Sequence, residues 1–160
     1  MFYDTSRFPF VEDLESEWTT VLSEYINLKT GTIPYFEKDL YRGEWDVFPF
    51  MFFGNVDEDR CNLCPKTWNL IKDIPGLKTA AFSILRHQTD ISPHTGFTEK
   101  VLRCHLGLLT PSNGLLVVED EPRRWNAGKC LIFDDTKEHY AYNHNVSEDR
   151  VVLLLDFEKP

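Results

Sequence analysis

A mainly β sandwich or jelly roll, with N-terminal helices packed on one sheet, follows from three observations. From Thr79 onward, apolar residues recur at period two in short runs. Turn-forming clusters separate those runs, namely Pro111-Ser112-Asn113-Gly114, Asn126-Ala127-Gly128 and 143–149. Helical periodicity is confined to the part of the chain before Gly76. Several short strands at this spacing predict an antiparallel two-sheet fold covered by helices.

Taken in order, Leu14, Trp18, Val21, Leu22, Tyr25 and Ile26 fall at three- and four-residue steps among charged neighbours. They predict an amphipathic helix over Asp13–Leu28, ended by Gly31 and Pro34. The aromatic segment Trp45–Gly54 is broken by Pro49 and Gly54, which predicts an edge strand plus a loop with its rings in the core. Pro65 suits the first turn of a second, shorter helix that stops at Pro75-Gly76.

In the β half, Ala81, Ser83 and Leu85 share one face of a strand, and Phe82 and Ile84 share the other. Within Val101–Leu109, the apolar Leu102, Cys104, Leu106 and Leu108 alternate with Arg103, His105 and Gly107. Strand-like runs at Leu115–Glu119, Lys129–Phe133 and Val151–Phe157 complete the set. With no internal repeat or linker, 160 residues predict one domain spanning 1–160.

Composition narrows the functional classes. A net charge of −9 argues against nucleic acid as a partner. No run approaches the ~20 apolar residues of a membrane span, and the N-terminus lacks the apolar stretch of a secretory signal. A soluble, cytoplasmic protein is expected. Of four cysteines, only Cys61 and Cys64 form a close pair, so a zinc ribbon is not expected. Cys104 and Cys130 read as small buried hydrophobes.

The chemistry concentrates in the β half, which carries His94, His105 and His139 with Arg103 and Arg150. Imidazole is the commonest metal-ligating side chain, and an arginine on a buried strand demands an anion. Arg103 and His105 share a strand face that either lines a cavity or meets solvent. His94 sits in the turn-like Pro93-His94-Thr95-Gly96, and His139 follows the acidic turn Asp134-Asp135-Thr136. Their separation of 45 residues (139 − 94) excludes a helical H-E-x-x-H pair. Two-histidine iron oxygenases usually add a carboxylate; in the jelly-roll enzymes it stands two residues after the first histidine, and here that position is Gly96. Three readings stay open from the residues alone: an oxygen-activating iron enzyme, a zinc hydrolase with a site of His94, His105 and His139, or a non-catalytic cupin-like protein that binds an organic acid.

The ordered segments Phe82-Ser83-Ile84, Pro93-His94-Thr95-Gly96, Leu102–Leu108, Trp125–Lys129, Phe133–Thr136, Glu138-His139 and Arg150 with its apolar tail resemble the aspartyl/asparaginyl β-hydroxylase family. The likeness runs from about Trp45 to Pro160 and more weakly into the N-terminal helix. It implies a double-stranded β-helix (jelly roll, cupin-like) that uses Fe(II), 2-oxoglutarate and O2 to hydroxylate an unactivated carbon. The implied substrate carbon is the β-carbon of an Asp or Asn residue or a carbon of a related small molecule, with a lipid acyl chain also within the family's range. By position, His94 and His139 would ligate iron, and Gly96 agrees with members that lack the carboxylate. Arg150 with Ser83 would hold the distal carboxylate of 2-oxoglutarate, while Arg103 and His105 would contact its other end. Asp134 and Asp135 would orient His139 or form an Asx-type turn. The resemblance departs at Tyr140-Ala141-Tyr142-Asn143, where the family often shows an acidic residue and a tryptophan. His87 and His144 read as surface histidines, and Trp125 as core.

Overall fold

The computed structural model describes residues 1–96 and 100–160. Four α-helices, α1 (Phe10–Ser16), α2 (Trp18–Ile26), α3 (Glu58–Leu63) and α4 (Pro65–Ile71), lie in the first half. The strands are β1 (Ile33–Pro34), β2 (Tyr41–Arg42), β3 (Trp45–Phe52), β4 (Asn55–Val56), β5 (Leu77–Leu85) and β6 (Thr89–His94). They continue with β7 (Val101–Leu109), β8 (Gly114–Val118), β9 (Glu121–Arg123), β10 (Cys130–Phe133), β11 (His139–Asn143) and β12 (Arg150–Glu158). A major sheet runs β1-β3-β5-β12-β7-β10, with β4 attached to β3, and a minor sheet runs β2-β6-β11-β8-β9. The named strands pair antiparallel, giving the two-sheet jelly roll that period-two patterning predicts.

Alternation on β7 decides the layering. Leu102, Cys104, Leu106 and Leu108 join Val21, Phe48, Phe50, Ile71 and Phe82 in a core between the major sheet and the helices. Arg103 and His105 consequently face inward, toward the minor sheet, so their face lines a cavity and does not meet bulk solvent. A second cluster, with Trp45, Leu85, Ile91, Leu116, Trp125 and Phe133, fills the space between the sheets. Strand β12 is central and buried on both faces, which explains its unbroken apolar run from Val151 to Leu155.

Three elements differ from expectation. The single helix over 13–28 is two, α1 and α2, with Glu17 leaving helical geometry at φ −105°, ψ 14°. Ser16 Oγ donates to the Asp13 carbonyl at 3.0 Å, and this local bond competes with the helical ladder at the break. The segment at Trp45 is one eight-residue strand lying between β1 and β5 in the major sheet, where an edge strand plus loop was expected. Its Pro49 is accommodated because the β3–β5 ladder shifts register between Pro49 and Met51. Helix α3 was not anticipated; Asp57 caps it by accepting from the Arg60 amide at 3.1 Å.

Helix α4 does start at Pro65, as expected. Two of its unpaired first-turn amides, Lys66 and Thr67, donate at 3.1 and 2.6 Å to the Glu24 carboxylate on α2. The four cysteines are buried free thiols.

Candidate active site

His94 and His139 meet across the minor sheet as directly opposed partners of β6 and β11, with ring centroids 4.3 Å apart. A β-bulge creates that meeting. Asn143 pairs with Thr89, Tyr142 with Asp90 and Ala141 with Ile91; the same register continued would set His139 against Pro93. A one-residue shift between His139 and Ala141 puts His94 there instead. It also lets Ile91 and His94, three residues apart, both line the same cavity, which strict alternation forbids.

Each ring is oriented in the same manner. His94 Nδ1 lies 2.7 Å from the Ser92 carbonyl, and His139 Nδ1 lies 2.8 Å from the Lys137 carbonyl. A carbonyl can only accept, so both Nδ1 atoms carry the proton and both Nε2 atoms present lone pairs. Burial lowers the pKa of His94, favouring the neutral form that a metal requires. The donor set therefore fits a divalent cation held by two imidazoles.

The opposite end of the cavity is formed by Arg150, on the first residue of β12 and only 2% exposed. Its Nη2 donates to Ser83 Oγ at 2.9 Å and to the Ser83 carbonyl at 3.2 Å, and its guanidinium stacks 4.6 Å from the Trp125 ring centroid. Its Nε is buried without a hydrogen-bond partner, and among the described residues no carboxylate forms an ion pair with it. Burial pushes its pKa down to about 9. A buried, uncompensated guanidinium of this kind fits an incoming carboxylate. Ser83 is itself fixed by Trp45, whose Nε1 donates to Ser83 Oγ at 2.9 Å.

Between the two ends lie His105 and Arg103. Trp125 Nε1 donates to His105 Nδ1 at 3.1 Å, so the imidazole proton resides on Nε2 as a donor. Burial, with the nearby charges of Arg150 and Arg103, holds the His105 pKa well below the usual range. Arg103 faces its ladder partner Asp156 and makes two hydrogen bonds to it, at 2.7 and 2.9 Å. It also reaches Asp135, at 3.0 Å. The cavity enclosed by these groups is narrow, about 30 Å³, with Leu116, Phe133 and Leu154 among its walls.

Asp135 occupies an unexpected place. It stands on the Nε2 side of His139, with Oδ1 at 3.2 Å, and not behind the ring at Nδ1. Burial opposes its ionisation, but the Arg103 guanidinium beside it holds the carboxyl well below the usual carboxylate range. Its buried Oδ1 accepts no well-aligned hydrogen bond. A Cβ at Gly96 would meet Asp135 Oδ2 at 1.8 Å, so the space of a side chain at position 96 is taken by the Asp135 carboxylate. Asp134 forms the expected Asx turn, accepting from the Thr136 amide at 3.0 Å, and contacts Lys159 rather than His139.

The structure thus brings His94, His139, Ser83, Arg103, His105 and Arg150 around one cavity. A three-histidine metal set is not assembled: His105 is engaged by Trp125, and no group of three or more His, Cys, Asp or Glu able to hold a metal occurs among the described residues. His87 and His144 lie at the surface, and Trp125 is core while also holding His105 and Arg150. Sequence reasoning missed the bulge, the inward position of Asp135 and the anchoring of Ser83 by Trp45. Pro93 inside a strand was the available signal for the bulge.

This architecture is shared with solved jelly rolls of very different sequence. An oxidoreductase of the 2OG-Fe(II) oxygenase family from Burkholderia pseudomallei superposes with a TM-score of 0.61 at 13% identity, over 89% of this chain and 79% of that one. A predicted oxalate decarboxylase from Thermotoga maritima gives 0.56 at 13% identity, over 82% and 95%. The class is therefore the cupin-like jelly roll, a fold this chain shares with both of those proteins. Within it, the chain belongs to the aspartyl/asparaginyl beta-hydroxylase family, whose model matches residues 15–160.

Its relatives include an ornithine lipid ester-linked acyl 2-hydroxylase of Rhizobium tropici, 37% identical over 99% of this chain and 60% of that protein. Human aspartate beta-hydroxylase domain-containing protein 2 is 35% identical over 94% of this chain and 44% of its own length. Human aspartyl/asparaginyl beta-hydroxylase is 31% identical over 98% and 22%. The chain thus spans less than two thirds of each of these relatives.

Proposed function

We propose that this chain is an Fe(II)- and 2-oxoglutarate-dependent dioxygenase that hydroxylates an unactivated carbon next to a carboxyl-derived group. The names of two relatives support the position of that carbon. An acyl 2-position and an aspartyl or asparaginyl β-position both lie one bond from a carbonyl carbon. A peptidyl Asp or Asn and a small molecule or lipid carrying an acyl group both meet this description.

The observation that carries the reading is Arg150, a buried cation with an unpartnered Nε at one end of a cavity whose other end is a histidine pair. When bound, iron with 2-oxoglutarate and O2 supplies an oxidation coupled to decarboxylation, giving succinate, CO2 and one oxygen atom for the substrate. His94 and His139 would hold the ion through Nε2. Arg150 and Ser83 would bind the distal carboxylate, with the guanidinium and hydroxyl as donors. His105 Nε2–H and Arg103 would serve the keto-acid end. Asp135, kept ionised beside the histidines, would balance the charge of the cation in place of an acid at position 96. Seating a five-carbon diacid in so narrow a cavity requires its lining to part. Neutralising Arg150 offsets that cost.

The test is succinate release from 2-oxoglutarate by the purified chain with Fe(II), compared with His139→Ala. The substitution is expected to reduce turnover at least a hundredfold. Undiminished turnover in the variant would overturn the assignment.

A further inference from the structure

A second and larger cavity, about 360 Å³, opens beside the first, and Trp45, Arg103 and Leu154 line both. We propose that this groove is the substrate's seat and that it takes a hydrocarbon chain, making the substrate an acyl-bearing amphiphile. The inference rests on the oxygenase reading for the site to which the groove leads.

The first observation is an unbroken series of aromatic rings from the site to the surface. Trp45, whose indole nitrogen holds Ser83, stacks on Tyr35 at 3.8 Å and 9°. Tyr35 stacks on Phe36 at 4.9 Å, Phe36 meets Phe52 edge-on at 6.0 Å, and Phe52 meets Phe53 at 4.6 Å. The outer three rings are bare, with Phe36 58%, Phe53 54% and Phe52 45% exposed, and Ile33 beside them is 43% exposed. A contiguous apolar patch rimming a cavity marks a binding site for something apolar.

The second observation is the backbone of Phe53. It turns between β3 and β4 at φ 46°, a left-handed conformation that glycine or asparagine adopts readily and a bulky aromatic does not. The two-residue β3–β4 hairpin requires positive φ at both Phe53 and Gly54, so what calls for explanation is an exposed aromatic ring at a turn position that glycine or asparagine fills at less cost.

The third observation separates a chain from a peptide. The polar side chains of the wall are already engaged within the protein. Arg103 and Asp156 bond each other at the inner end, Tyr35 bonds Glu37 at 3.3 Å, and Thr79 Oγ1 accepts from the Phe53 amide at 3.2 Å. A peptide laid here would bury amides against side chains with little to offer them, whereas methylenes need no partner. At the inner end, Arg103 touches Asp135, which touches His139. A chain in the groove therefore starts at Arg103, which is linked to His139 through Asp135, and runs outward past Trp45 and Tyr35 to the exposed rim.

The test titrates the protein, loaded with Mn(II) and 2-oxoglutarate, with the fluorescent probe 11-(dansylamino)undecanoic acid. Saturable binding is expected, displaced by dodecanoic acid and not by an acetylated, amidated Gly-Asp-Gly peptide. The rim variant Phe36→Ser/Phe52→Ser/Phe53→Ser, altering only exposed rings, should weaken the probe at least tenfold, and Ala81→Trp, which fills the groove, should abolish binding. Absence of saturable binding, equal binding by the rim variant, or displacement by the peptide instead of the fatty acid overturns the inference. Calorimetry of 2-oxoglutarate with Mn(II) on the unaltered chain separates the two failures. Its absence sinks the oxygenase reading, and its presence without probe binding sinks the groove alone.

Discussion

Replacing Arg150 with Met should stabilise the ligand-free protein while destroying its response to 2-oxoglutarate. The guanidinium is 2% exposed, and burial alone pushes its pKa from 12.5 to about 9. At about 1.4 kcal/mol per unit, the free fold carries a penalty on the order of 5 kcal/mol for the charged form. Methionine keeps an apolar stem over Trp125 but loses the two bonds to Ser83, worth about 1 kcal/mol each. Apolar replacement of buried charges typically gains about 1–4 kcal/mol, so a net gain of about 2 kcal/mol is expected. For a chain of this size that is a Tm increase of roughly 4–8 °C in a thermal melt without ligand. Mn(II) with 2-oxoglutarate at a hundredfold excess over Kd should add about 2.7 kcal/mol to the wild type and nothing to Arg150→Met.

The pH dependence has a definite sign. Between about 9 and 12.5 the unfolded chain keeps the Arg150 proton that the folded chain releases, so wild-type stability rises with pH in that window relative to Arg150→Met. The difference between the two proteins should be fully present below pH 9 and shrink above it. A variant that melts lower than the wild type and still shifts with 2-oxoglutarate would refute the reasoning.

Three further substitutions probe other parts. Ser83→Ala removes a hydroxyl that both Arg150 and Trp45 contact, and should weaken 2-oxoglutarate about fivefold by calorimetry, consistent with about 1 kcal/mol for a hydrogen bond. Gly96→Ala drives a methyl into the Asp135 carboxylate and should weaken Mn(II) about tenfold, roughly 1.4 kcal/mol. Adding Asp135→Gly should recover part of that loss, and strict additivity would count against steric exchange between the two positions. Glu24→Ala uncaps α4 and should cost about 1 kcal/mol, read as a Tm decrease of about 2–4 °C with 2-oxoglutarate binding unchanged.

Much of this was legible in the residues because strand alternation is a local property. Leu102, Cys104, Leu106 and Leu108 against Arg103 and His105 announce an apolar and a polar face, and the helices covering the first leave the second to line the cavity. Arg150 ahead of a five-residue apolar run is ambiguous by itself, and its burial follows from the central place of β12 in the major sheet. What escaped depends on contacts between distant segments. Asp135 faces the Nε2 side of His139 because of the path of a turn against Gly96, and Arg103 is paired through the register of β7 on β12. Pro49 and Gly54 made β3 look interrupted, although a register shift lets the strand continue past Pro49.

The bulge in β6 has a mechanical consequence. His94 and His139 are neighbours in one hydrogen-bonded ladder, so an ion gripped by both would clasp two adjacent strands at the only offset that makes them face each other. Slippage by one residue would return Pro93 to the position opposite His139 and turn one imidazole away. With an ion held by that pair, metal occupancy and strand alignment would be the same variable seen from two sides. Withdrawing the ion with a chelator should quicken amide exchange first in Thr89–His94, while the central strands of the major sheet keep their protection.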